Sequence, residues 1–353
     1  MRRLFQSTLA ACGLLLAAPG GRTAPTNATP SQTAPPLPAR SRVVVVHEES
    51  ATANFEPRAS VVRRMVDDGL MGLTGKSTPA AAWRSLVTPA DVVGFKVCSA
   101  PGALSGSRPA VVASLVESLL AAGQSPERII IWDKREVDLI LAGWPSLAAR
   151  LGVRCRAAAE AGWDENRSYE ASTIGRLVAG DLEFGRAENN RTGRRSYVSR
   201  LVSRELTRII TVAPVLNHNQ LGVNGHLANL ALGSVDNTLR FEHDGARLAE
   251  AVPEICALDE LLPRVAFGVT DALICQYRGE ERTLLHYAVP GNELRFSTDL
   301  VSLDVLALLD IETARRANPT DGEKPARTDL YLNAELIELG VAQTNRIERV
   351  RRP

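Results

Sequence analysis

Apolar residues recur along this chain in two rhythms. Short β-branched runs have the length and residue type of buried strands: Arg42 to His47 (RVVVVH), Asp91 to Cys98 (DVVGFKVC), Arg128 to Trp132 (RIIIW), Arg208 to Val215 (RIITVAPV) and Arg264 to Cys275 (RVAFGVTDALIC). Between them lie stretches with apolar residues three and four apart. The clearest holds Val111, Val112, Leu115, Val116, Leu119 and Leu120, one stripe on a helix face. Ser107 is its expected N-cap, Pro109 sits in its first turn and Gly123 follows its end. Strand, helix and strand with short links make a βαβ unit, whose strands are parallel. Further helices are expected over 59–72, 135–151, 299–314 and 330–339. Two antiparallel strands are expected at 282–289 and 293–297. The stretch 160–197 is polar and weakly patterned, and the basic tail 346–352 reads as a solvated end. No internal repeat is present. The pattern predicts an α/β fold: a mostly parallel sheet with βαβ units flanked by helices, and some antiparallel strands toward the C-terminal part.

The ends change the picture of organisation. Arg2 and Arg3 precede an apolar stretch from Leu9 to Ala18. Charged start, short apolar middle and small residues afterwards describe a secretory signal, too short for a membrane span. Arg2-Arg3-x-Phe5 also fits a twin-arginine signal, and both export routes stay open. Leu9-Ala10-Ala11-Cys12 resembles a lipoprotein cleavage box, although the apolar run continues past Cys12. Residues 22–41 are rich in Pro, Thr and Ala and cannot bury a core. The expected organisation is a signal peptide over 1–21, a disordered linker over 22–41 and one α/β domain over 42–353, with an inserted subdomain at 157–200. The expected location is the periplasm or cell envelope of a bacterium.

Composition excludes more than it suggests. Net charge is +1 and aromatics are 5%, so neither a global field nor stacking platforms favour nucleic acid. Lysines are few: Lys76, Lys96, Lys134 and Lys324. Beyond Cys12, the cysteines Cys98, Cys155, Cys256 and Cys275 show no C-x-x-C spacing. No iron–sulfur cluster is therefore expected. Dinucleotide, P-loop, nucleophile-elbow and H-E-x-x-H motifs are absent.

Candidate chemistry follows from a fold rule. In open parallel sheets, ligands bind beyond the carboxyl ends of the strands. Those ends carry Lys96 and Cys98, Asp133 and Lys134, Asn217, His218 and Asn219, and Asp271, Gln276 and Tyr277. Lys96, Asp133 and His218 are the candidate catalytic residues. A structural Lys96–Asp133 pair, or Asp133 as a helix cap, reads equally well from the residues alone. The segment Pro214 to Phe241 (PVLNHNQLGVNGHLANLALGSVDNTLRF) is the most unusual. Its Gly222, Gly225 and Gly233 permit close backbone approach, and Gly225-His226 can open a helix whose N–H groups face an anion. A divalent metal held by His218 and His226 requires the loop to fold back, because a spacing of eight is not a usual zinc pattern. His243-Asp244 could extend such a site.

Taken in order, GFKVCSAPGALSGSRPAVVASLVESLLAAGQSPERIIIWDK, APVLNHNQLGVNGHLANLALGSVDNTLRF, ALICQYRGEE and LRFSTDLVSLDVLALL resemble the uncharacterised prokaryotic family called domain of unknown function 362, over roughly residues 90–310. Some members of that family carry ferredoxin-like cluster segments, which this chain lacks. The family pattern has Lys and His in the stretch matching Leu216 to Asn219 and a Lys near Ala228, where this chain has Asn217, His218 and Ala228. Lys96, Asp133, Asn229, Gly233, Asp299 and Asp304 match residues common in the family. The resemblance adds Asn229, Asp299 and Asp304 to Asn217 and Asn219 from the strand end and Gly225 from the glycine-rich segment as candidate ligand-binding residues. Two functions are expected: an exported enzyme dependent on a metal or small molecule, with its site at the strand ends, or a non-catalytic binding or accessory protein of the envelope. A small-molecule ligand is the expected partner, with no nucleic acid and no transmembrane span; the sequence leaves the oligomeric state open.

Overall fold

The structure is a computed structural model describing residues 40–186, 191–280, 282–322 and 324–352. The expected signal peptide, Cys12 and nearly all of the expected linker lie outside the described residues.

The main sheet has nine strands. Those that position the site are β1 (Ser41–His47), β2 (Val93–Lys96), β3 (Ile129–Asp133), β4 (Arg154–Ala157), β7 (Arg208–His218), β8 (Val265–Gln276), β9 (Ala288–Ser297) and β10 (Ile347–Arg352); β5 (Trp163–Arg176) and β6 (Thr192–Ser199) form a separate antiparallel ribbon. The spatial order is β10-β1-β9-β8-β7-β2-β3-β4, and the two-residue strand Gly222–Val223 pairs with β7. Along that path only β9 runs against its neighbours. This is the mixed, largely parallel α/β sheet expected from the pattern.

Side-chain parity divides the apolar residues between two cores. Val43, Val45, Ile130, Trp132, Ile209 and Val215 face one. Val44, Val46, Ile129, Ile131, Ile210 and Val212 face the other. Continuous β-branched runs arise because both faces are covered. On the second face lie α1 (Ala59–Thr74), α2 (Pro79–Leu86), α3 (Pro109–Ala121), α4 (Glu136–Leu141) and α5 (Trp144–Leu151). On the first lie α6 (His226–Ser234), α7 (Gly245–Cys256), α8 (Leu300–Ala317) and α9 (Asp329–Leu336).

Several expectations need correction. Of the two antiparallel strands expected at 282–289 and 293–297, the first is mostly loop, with a short 3-10 turn at Leu285–Tyr287, and only its last two residues are strand, continuous with the second as β9. Pro290-Gly291, which reads as a turn, is absorbed opposite a register shift at Ala272/Ile274. A Cβ at Gly291 would stand 2.3 Å from the Ala272 carbonyl oxygen, so only glycine fits the irregularity. The tail is not free: β10 pairs in parallel with β1. The helix expected over 135–151 breaks at Ala142-Gly143 into α4 and α5. Ser107 does not cap α3; its hydroxyl accepts from Cys98 N at 2.8 Å and donates to Val212 O at 2.5 Å, tying the start of α3 to β2 and β7. Among the described residues no disulfide joins the cysteines, and no helix is long and apolar enough to cross a membrane.

The chain leaves β2 through α3 to β3 on one side, while β7 flanks β2 on the other and leads on to β8. The connections diverge between β2 and β7, which opens a crevice beyond their carboxyl ends.

Candidate functional site

A cleft of about 440 Å³ lies at that point, a size that suits a small molecule. Cys98 and Ser99 enter it from the end of β2, Asp133 and Lys134 from β3, His218 from β7 and Asn229 from α6.

Beneath the cleft is Lys96, fully buried. Its ammonium donates to Val97 O at 2.7 Å, Asp133 Oδ1 at 2.7 Å and Asn229 Oδ1 at 2.6 Å. An ammonium has three donors, and all three are engaged. Lys96 therefore holds Asp133 and Asn229 in place and does not itself line the cleft. Gly233 makes this possible: a Cβ there would stand 2.3 Å from Lys96 Cε. Asp133 also accepts from Lys134 N at 2.7 Å and Ser99 N at 2.8 Å. Its carboxylate is thus oriented from three sides, with its edge in the cleft.

The ammonium also decides which way the Asn229 amide faces. Its oxygen must meet Lys96, which leaves Nδ2 at the other end. That Nδ2 has no partner, and neither do Ser99 Oγ and Gln220 Oε1, all buried and all from residues lining this cleft. Buried polar atoms without partners are rare in folded proteins, and each calls for an explanation.

His218 Nδ1 accepts from Gln220 N and Leu221 N, both at 3.2 Å. In the neutral ring the proton then sits on Nε2, a donor. Burial lowers the His218 pKa, which favours that neutral form.

His226 is not a cleft residue. It is buried between β7 and β8, with Nδ1 2.7 Å from Thr211 Oγ1 and Nε2 3.0 Å from Thr270 Oγ1. Both ring nitrogens are engaged, so His226 cannot join His218 around a metal as the sequence reading expected. Among the described residues no group of three or more His, Cys, Asp or Glu is placed to hold a metal ion.

The expectation of an anion at the start of α6 is met from within the chain. Asp304 of α8 accepts from His226 N at 2.6 Å and Leu227 N at 3.0 Å. A Cβ at Gly225 would stand 2.2 Å from Asp304 Oδ1, so this glycine admits the carboxylate. Asp299 caps α8, accepting from Ser302 N at 3.0 Å and from Val341 N at 2.9 Å. Asn217 and Asn219 clasp the loop after β8: Asn217 Oδ1 accepts from Glu280 N at 3.0 Å, and Asn219 N donates to Glu280 Oε1 at 2.7 Å. Gln276 Nε2 donates to three carbonyls of the same loop. Asp271 forms a buried ion pair with Arg108 at 2.9 Å. Tyr277 stacks edge-on with Tyr287, 6.1 Å between ring centroids. His243 lines the cleft and Asp244 caps α7. The candidate ligand residues Gly225, Asn217, Asn219, Asp299 and Asp304 are thus placed as scaffold, whereas Asp133, His218 and Asn229 meet in the cleft.

Residues that the sequence did not single out complete the lining. Asn224 falls in the glycine- and asparagine-rich segment and Glu242 directly follows it, Asp138 and Arg135 follow β3, and Glu280 and Arg282 come from the loop after β8. Apart from histidines, the lining carries the carboxylates Asp133, Asp138, Glu242 and Glu280 against Lys134, Arg135 and Arg282, with Lys96 below. That near balance disfavours a polyanion and suits a neutral or zwitterionic ligand.

His226 also marks the pH dependence of the fold. Burial pushes its pKa down to about 3, while the unfolded chain protonates near the ordinary 6.5. Its stabilising contribution is complete above pH 6.5 and is lost as pH falls toward 3. Asp304 acts in the opposite sense: burial pushes it up to about 7, so stability linked to it falls as pH rises from about 4 to 7. The two slopes oppose each other in wild type. Comparing His226→Gln with wild type by denaturant unfolding isolates the first. The wild-type advantage should shrink by about 1.4 kcal/mol per pH unit below pH 6.5. A constant difference would show that His226 is not held neutral.

No protein-family profile matches the chain. No characterised protein matches it in sequence. Among solved structures, the crystal structure of a Thermotoga maritima protein, determined as a structural-genomics target, is similar over 75% of this chain and 60% of that one, with 11% identity and a TM-score of 0.43. This chain thus spans less than two thirds of that protein's length.

Proposed function

We propose that the protein is an exported enzyme acting on a small, polar, neutral or zwitterionic molecule bound in the cleft between β2 and β7. The observation that carries this reading is the gathering of unpartnered buried polar atoms, Asn229 Nδ2, Ser99 Oγ and Gln220 Oε1, in one concave site. A ligand offering both acceptor and donor groups would satisfy them. In this reading Lys96 is the positioning residue. Asp133 and His218 face the ligand, the first as a fixed carboxylate able to take a proton, the second as an N–H donor. Lys96, Asp133, Asn229 and Gly233 form a single network here. The small-molecule form is favoured over one with a metal at two histidines because Thr211 and Thr270 engage both nitrogens of His226.

A thermal-shift screen of the mature protein against neutral, zwitterionic and singly charged metabolites tests the reading. A true ligand at a hundredfold excess over its Kd should stabilise the fold by about 2.7 kcal/mol. Asp133→Asn, which keeps the shape of the side chain, should lose most of that shift. A flat response to every class would sink the proposal.

A further inference from the structure

We infer that Lys134 is the reactive amine of this cleft, and that the ligand it takes is a small aldehyde or ketone captured as an imine. The inference rests on the reading of the cleft as a small-molecule site.

Only four lysines occur in the chain, and they are placed very differently. Lys76 and Lys324 are exposed. Lys96 is sealed beneath the cleft with all three donors engaged. Lys134 lines the cleft itself. Its Nζ donates to Thr238 Oγ1 at 2.8 Å, and the Thr238 hydroxyl donates in turn to Glu242 Oε1. Nζ–H, hydroxyl and carboxylate form a chain through which a proton can leave the amine and rest on Glu242. A lysine serving only as a counter-ion would not need a hydroxyl between itself and its carboxylate.

Burial lowers the Lys134 pKa; Glu242 opposes that shift, Arg135 adds to it, and Asp181 and Asp236 oppose it. A larger share of the amine is then neutral and nucleophilic at neutral pH. Attack of the nitrogen lone pair on the carbonyl carbon forms the C–N bond and moves the C=O π pair to oxygen, which takes a proton. The nitrogen gives up a proton through Thr238 to Glu242, leaving a carbinolamine. Loss of the hydroxyl with a further proton, as water, and closure of C=N complete the imine. No electrons are gained or lost. Asn229 and Ser99, whose Nδ2 and Oγ have no partner, line the same cleft.

Reductive trapping tests this on the full-length protein. Glycolaldehyde and pyruvate are each incubated with it at neutral pH in the presence of sodium cyanoborohydride, which reduces any imine to a stable secondary amine. The adduct is located by peptide mapping. The expected result is label concentrated several-fold at Lys134 over Lys76 and Lys324, lost in Lys134→Arg. Thr238→Val should slow labelling at Lys134 and leave the surface lysines unchanged. Label spread evenly over Lys76, Lys134 and Lys324, or none at Lys134, overturns the inference. A ligand that shifts melting without an adduct overturns it and leaves the cleft reading standing, whereas no shift and no adduct removes both.

Discussion

Lys96→Met should lower the free energy of unfolding by about 3–5 kcal/mol, the usual consequence of removing one partner of a buried ion pair. Methionine fills a similar volume, so the loss is electrostatic. Asp133 keeps its two backbone donors, Ser99 N and Lys134 N, but its charge no longer faces a cation. Val97 O and Asn229 Oδ1 each lose their 2.7 and 2.6 Å donor as well. Chemical denaturation reads the effect. A second change separates charge from packing: Lys96→Met with Asp133→Leu removes both charges and should recover part of the loss. If the single variant falls within 1 kcal/mol of wild type, the pair is not the support described above.

Asp304→Ala should cost about 2–6 kcal/mol, because it strands two buried N–H groups at roughly 1–3 kcal/mol each. The donors are His226 N and Leu227 N, at the first turn of a helix whose dipole also favours the carboxylate. Hydrogen exchange should show fast opening at the start of α6, which carries Asn229 and Gly233 into the cleft. Asp244→Ala is the natural comparison. That residue caps α7 from an exposed position, and the loss of an ordinary cap is about 1 kcal/mol. Equal effects from the two variants would mean that Asp304 is only another cap.

The sheet was legible in the chain because parity and residue type report burial directly. The alternation that sends Val43 and Val45 to one core and Val44 and Val46 to the other lies inside an unbroken apolar run, which is how a strand covered on both faces reads. The cleft was legible through topology: strand ends converge wherever connections diverge. What could not be read was reach across the sequence. Asp304 meets His226 N over 78 residues, and nothing near either residue announces the other. Lys96 and Lys134 look alike as strand-end lysines, yet register puts Lys96 opposite Trp132, beneath the cleft, and leaves Lys134 one step past the last pleat, in the cleft wall. Asn217 and Asn219 look like ligand residues because loop clasps and ligand contacts use the same amides. The Pro290-Gly291 pair reads as a turn because its partner irregularity at Ala272/Ile274 lies on another strand.

The outermost strand has a bearing on solubility. Val43 to Val46 is an unbroken β-branched run of the kind that pairs with copies of itself, and β10 lies along it on one side while β9 occupies the other. The new margin of the sheet carries Glu348, Arg349, Arg351 and Arg352, all exposed. A second molecule approaching edge to edge would bring three guanidiniums against three with one carboxylate on each side, and that excess of like charge resists pairing. β10 thus acts as a guard rail, keeping an adhesive strand of the protein from becoming the seed of a fibre.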